Sequence, residues 1–211
     1  MKLRKLRLAK WKSSGVPLAD TADVQAVTKA FGHTVKSFVA IAVTDGSGSQ
    51  IGNPTGSAAR LLITKSMEES LLVSRASSGT SQTAELDAIL LVCRHIHQLK
   101  LHKNPRGGKV LFITDSSLVE KTLKAVARDP VALYNSSAHP DAAAALLAYR
   151  RRGFDFSVIR IKRNTTPVHA GVDAASRASR LLQDPEQAYE NAMGKQLKKA
   201  KGKKLDGKEE E

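Results

Sequence analysis

Cysteine is almost absent: Cys93 is the only one in 211 residues, which excludes an internal disulfide and a cysteine-built zinc cluster. Aromatic residues make up 4% of the chain, with Trp11 the single tryptophan, too few for a stacking platform that would hold single-stranded nucleic acid. No apolar run approaches the ~18 residues a membrane-spanning helix needs. The longest, around Ala88–Cys93, is bounded by Asp87 and Arg94. Acid is missing from the first 19 residues, which carry Lys2, Arg4, Lys5, Arg7, Lys10 and Lys12.

What is present starts with charge. Lys and Arg number 34 against 20 Asp and Glu, a net +14 with a pI near 10.0. The last 17 residues hold seven lysines, Lys198 and Lys199 among them, against four acids. Basic ends attract a polyanion whatever the fold between them, so nucleic acid is the favoured partner and an anionic membrane surface the runner-up. Leu3, Leu6 and Leu8 interleave with the N-terminal basic residues. That composition suits a mitochondrial presequence and equally an arm lying in an RNA groove. Mitochondrial localisation is the expectation, nuclear or cytoplasmic otherwise, and not secretion.

Apolar residues at 41% support one packed core. The expected organisation is a basic arm or presequence over 1–34, a domain over 35–192 and a Lys-rich tail over 193–211. A β-rich apolar run over 37–44 ends in the turn residues Asp45-Gly46-Ser47-Gly48, and 58–64 and 70–76 read as two further strands. Leu86, Ile89, Leu90, Cys93, Ile96 and Leu99 recur at helical steps over 83–100. Then come a strand at 110–114, helices at 116–128 and 142–152, a strand at 154–161 and a last helix at 173–191. This order predicts an α/β fold, a mixed five-stranded sheet with helices on both faces.

Two of the strands run straight into aspartates, Asp45 and Asp115, and Glu85 opens the first long helix. Each acid alone has an ordinary explanation, a helix cap or a dipole partner. Together they would repel unless cations sat between them, which is the arrangement of two-metal phosphoryl transfer, with ions about 3.5–4 Å apart. His95 and His97 are two apart on a helix and point to different faces. His33, His102 and His139 read as solvent-facing.

Thr44-Asp45-Gly46-Ser47 with Gly52-Asn53-Pro54, Thr83-Ala84-Glu85-Leu86-Asp87-Ala88, and Thr114-Asp115-Ser116 resemble, in that order, the motifs of the type 1 ribonuclease H domain. The resemblance spans about residues 36–185. Pro167-Val168-His169-Ala170-Gly171-Val172-Asp173 is similar to the retrotransposon-type form of its flexible histidine loop. The resemblance implies a ribonuclease H-like fold and hydrolysis of the RNA strand of an RNA–DNA hybrid with two Mg²⁺ or Mn²⁺ ions. Asp45, Glu85 and Asp115 would be the metal ligands and His169 would assist the leaving group. The family's fourth carboxylate falls, without gaps, on Ser179. Asp173 is the alternative, but six residues of helix turn it about 120° away from Ser179.

By the same resemblance, Ser81 and Gln82 would lie near the hybrid's minor groove, a role weighed against helix capping. Arg106 and Lys109 would contact phosphates, or simply belong to a solvated loop. The neutral Ser179 keeps a second class open: a repurposed RNA-binding module in a ribonucleoprotein particle, with structured or ribosomal RNA and ribosomal proteins as partners. A fragment of a retroelement polyprotein is a third.

Overall fold

Alternation along residues 40–43 sends Ala40 and Ala42 to one side of a strand and Ile41 and Val43 to the other, and all four are fully buried. A strand buried on both faces must lie mid-sheet. In the computed structural model, which describes residues 22–103, 108–128, 139–163 and 165–206, this strand (β1, Ala40–Ser47) is the centre of a five-stranded sheet. β2 (Asn53–Ile63) and β3 (Glu68–Gly79) follow as an antiparallel meander. β4 (Gly108–Thr114) pairs parallel with β1, and β5 (Phe154–Arg160) parallel with β4. The order is β3-β2-β1-β4-β5, the mixed sheet expected from the sequence.

Helices cover both faces. On one lie α2 (Ser81–Gln98), α3 (Ser117–Arg128) and α4 (Pro140–Arg151), around Ile89, Val92, Ile96, Leu123, Leu146 and Phe112. Each such side chain contributes about 1.5–3 kcal/mol by leaving water. On the other lie α1 (Val24–Ala30) and α5 (Pro167–Arg180), joined by Tyr189 of α6 (Pro185–Asp206). Val24 and Val27 of α1 are buried there, so packed structure begins within the range assigned to the arm. Among the described residues no helix is long and apolar enough to cross a membrane.

Three local readings are corrected. β1 does not stop before Asp45; it runs on to Ser47 because its ladder to β2 continues as far as the Ser47–Gly56 pair. The last helix is two: Leu182 takes a left-handed φ of 58°, and Asp184 Oδ1 accepts from the Glu186 and Gln187 N–H groups to start α6. His33, His102 and His139 are all half-buried rather than solvent-facing; the His102 ring lies 4.9 Å from that of His97, with Phe154 packed edge-on.

Candidate active site

β1 and β4 are parallel neighbours in register at Val43–Ile113. Two residues further along each chain come Asp45 and Asp115, which alternation puts on the side of α5. Asp45 is buried and Asp115 half-buried. α2 belongs to the opposite layer, yet its first turn crosses the end of β1. Gly46 makes that crossing possible, since a Cβ there would stand 2.2 Å from the Glu85 backbone nitrogen. Thr80 caps α2 through its hydroxyl, in a reciprocal box with Thr83. Glu85 is thereby delivered beside both aspartates.

The electrostatics register this crowding. Burial first, then the charges of Asp45 and Asp115, push the Glu85 carboxyl up to about 9, and a hydrogen bond from the Gly46 backbone offsets only part of that. Glu85 Oε2 is enclosed and finds no hydrogen-bond partner among the described residues. Burial also raises Asp45 to about 6, against the opposing pull of His169 and the Ser176 hydroxyl. At Asp115 burial is outweighed by the nearby His169 imidazole and the Arg163 guanidinium, so its pKa is lowered.

His169 was expected on a flexible loop at the rim. It lies instead in the first turn of α5, fully buried, with Nε2 3.7 Å from Asp115 Oδ1. Pro167 at the head of the helix and the Thr166 hydroxyl, which accepts from the His169 N–H at 3.2 Å, start α5 before the histidine. One donor atom each from Asp45, Asp115 and His169 falls within 4.8 Å of the others.

The expected position of Ser179 is also corrected. The α5 residue facing Asp45 is Ser176, whose Oγ donates to Asp45 Oδ2 at 2.7 Å, while Ser179 Oγ donates to the Ser74 carbonyl on β3. Residues three apart share a helix face but lie about 4.5 Å apart along it. Gly56 sets which turn meets the strand end, because α5 rests so close to β2 that a Cβ there would be 2.1 Å from the Ser176 carbonyl. Asp173 does not face Asp45 with a free carboxylate. It is held by Arg163 Nη2 at 2.6 Å and by Arg177 Nη2 at 2.8 Å. Arg163 Nε also stands 3.9 Å from Asp115 Oδ2.

Ser176 and Arg163 are the site residues that sequence reasoning missed. The helical repeat places Ser176 on the same face as Ser179, a usable signal. Arg163 is one basic residue among many, and nothing in its local sequence singles it out.

Ser81 and Gln82 are exposed in the first turn of α2, one turn before Glu85, and Gln82 Oε1 is 3.3 Å from His139 Nε2. Lys109 is exposed at the start of β4, six residues and so ~20 Å from Asp115. Lys198 and Lys199 are exposed on α6. Arg106, Lys2, Arg4, Lys5 and Arg7 lie outside the described residues.

No protein-family model and no curated protein matches the chain. Among solved structures, the foamy viral protease–reverse transcriptase in complex with dsDNA is similar at 15% identity and a TM-score of 0.52, over 71% of this chain and 98% of that one. The fold is ribonuclease H-like. LC11-RNase H1, isolated from compost by a metagenomic approach, superposes at a TM-score of 0.47 and 15% identity, over 75% of this chain and 97% of that one. RNase H1 from Halobacterium salinarum NRC-1 does so at 0.43 and 21%, over 60% and 87%. The residues gathered at the strand end fit a divalent metal. Hard carboxylate oxygens with one imidazole suit a divalent cation, and the enclosed Glu85 Oε2 is a buried acceptor awaiting a positive partner.

Proposed function

We propose that this ribonuclease H-like domain is a metal-dependent endonuclease that hydrolyses the RNA strand of RNA–DNA hybrids. The observation that carries the reading is the convergence of Asp45, Asp115 and His169, one donor atom of each within 4.8 Å of the others, with the enclosed Glu85 carboxyl close enough to feel both aspartate charges. A cluster of acids that repel one another is costly in a purely structural role, and a bound divalent cation makes it favourable.

Asp45, Glu85 and Asp115 would hold the ion. Bound there, the ion would acidify water and stabilise charge on the phosphate. His169 holds its Nε2 beside Asp115 and is the group suited to move a proton toward the leaving 3′ oxygen. Asp115 stands where it can orient that imidazole. Burial of Asp45 and His169 lowers the local dielectric, which strengthens each charge interaction. Ser81 and Gln82 are exposed one turn from Glu85 and are suited to meet 2′-hydroxyls, the groups that separate RNA from DNA. Basic side chains away from the cluster, Lys198 and Lys199 among them, would hold the backbone phosphates.

One observation favours a second reading. The neutral Ser176 meets Asp45, and Asp173 is occupied by two arginines, so the domain would serve as a nucleic-acid-binding module that retains an inactive cluster. Incubation of the full chain with a labelled RNA–DNA hybrid in Mg²⁺ or Mn²⁺ separates the two. Cleavage by the native chain, lost in Asp115→Asn with binding retained, supports the nuclease. Binding without cleavage in either metal supports the module.

A further inference from the structure

We propose that the Arg163 guanidinium takes the place of a second metal ion, so that the site holds one divalent cation where the sequence led to an expectation of two. This rests on the reading of Asp45, Glu85 and Asp115 as metal ligands, and it concerns what stands beside them.

Helix α5 supplies no free acid to the cluster. Its Ser176 hydroxyl is committed as a donor to Asp45 Oδ2, its Ser179 hydroxyl to the Ser74 carbonyl, and its Asp173 carboxylate to two guanidinium groups. A second ion on this side would have to displace an arginine from Asp173 or take a neutral hydroxyl as ligand. Either costs affinity relative to a free carboxylate, the ligand a hard dication prefers.

Arg163 fills that side with fixed charge. It bridges Asp173 Oδ1 at 2.6 Å and Asp115 Oδ2 at 3.9 Å. Arg177, four residues along α5, already balances Asp173. The charge of Arg163 is therefore left to the three acids. One dication together with this guanidinium balances Asp45, Glu85 and Asp115, whereas a second dication would leave the cluster with two surplus positive charges. Arginine suits this role because it stays protonated at any working pH and its planar fork spans two carboxylates. Its side chain is 57% exposed, so its outer face stays open to a phosphate of the substrate.

Mn²⁺ binding to the full chain, followed by electron paramagnetic resonance and calorimetry at low ionic strength, tests this without reference to cleavage. The native chain is expected to bind one Mn²⁺. Arg163→Gln, a change at an exposed side chain, is expected to tighten that ion about tenfold by removing a like charge. Arg163→Gln combined with Ser176→Asp is expected to bind two. Two ions of similar affinity in the native chain overturn the inference, as does an Arg163→Gln variant that keeps native circular dichroism and binds Mn²⁺ no differently. No Mn²⁺ binding at all by the native chain instead overturns the metal-site reading beneath it.

Discussion

At the scale of single residues, the carboxylates of the site should govern how stability depends on pH. Glu85 moves from an ordinary value of 4.5 when unfolded to about 9 when folded, and Asp45 from 3.8 to about 6. Between those limits the folded chain binds protons more tightly than the unfolded one, so stability falls as pH rises. Asp115, with its pKa lowered, works in the opposite sense and only at acid pH. In chelator, the melting temperature is expected to drop from pH 5 to pH 8, and Glu85→Gln to flatten that drop. Mn²⁺ should raise the melting temperature more at pH 8 than at pH 5, because the ion competes with the Glu85 proton. A melting temperature that climbs over this range in chelator would count against the crowding. The two serines make a second pair. Ser176→Asp should strengthen Mn²⁺ binding, and Ser179→Asp, directed at the Ser74 carbonyl, should not.

At the scale of elements, the site depends on how closely helices approach the sheet. Gly46 is where α2 crosses β1, and the atom a Cβ would meet is backbone that no rotamer change can move. Gly46→Ala should therefore cost at least 1–3 kcal/mol and weaken Mn²⁺ binding, since it displaces Glu85 from the two aspartates. Gly194, inside α6 with open space around it, is the natural control. Gly194→Ala should be neutral or stabilise by up to about 1 kcal/mol through helix propensity. Thermal melts of the two variants check this directly, and equal effects would show that the Gly46 contact tolerates a Cβ.

At the scale of the whole molecule, much of the net charge belongs to the ends of the sequence. The carboxylate cluster lies at the end of β1 and β4, while residues 1–19 carry six basic side chains and no acid. Loss of those residues should weaken binding to any hybrid and flatten the dependence of log K on log salt by up to about five. Asp115→Asn should leave that slope unchanged. Titration of hybrid affinity against salt for the two variants is the measurement. A slope unaffected by removal of 1–19 would assign the contact surface to the folded domain.

Much of this protein was decided locally. The succession of strands and helices follows from periods written in the sequence, and Asp45, Glu85 and Asp115 could be singled out as candidates because each sits close to a strand end or helix start with its own short pattern. The α5 side of the site was not legible in that way. Ser176, Ser179 and Asp173 recur at three-residue steps, and periodicity alone assigns them a common face without saying which turn meets the strand end. That choice was made by the seating of α5 over Gly56, a contact between residues 120 positions apart. The burial of His169 followed from the same seating, and the place of Arg163 from the loop that carries β5 into α5. Local pattern determines which side chains a helix can offer, but its axial position against the sheet is set by close packing of backbone on backbone, which only the assembled tertiary structure decides.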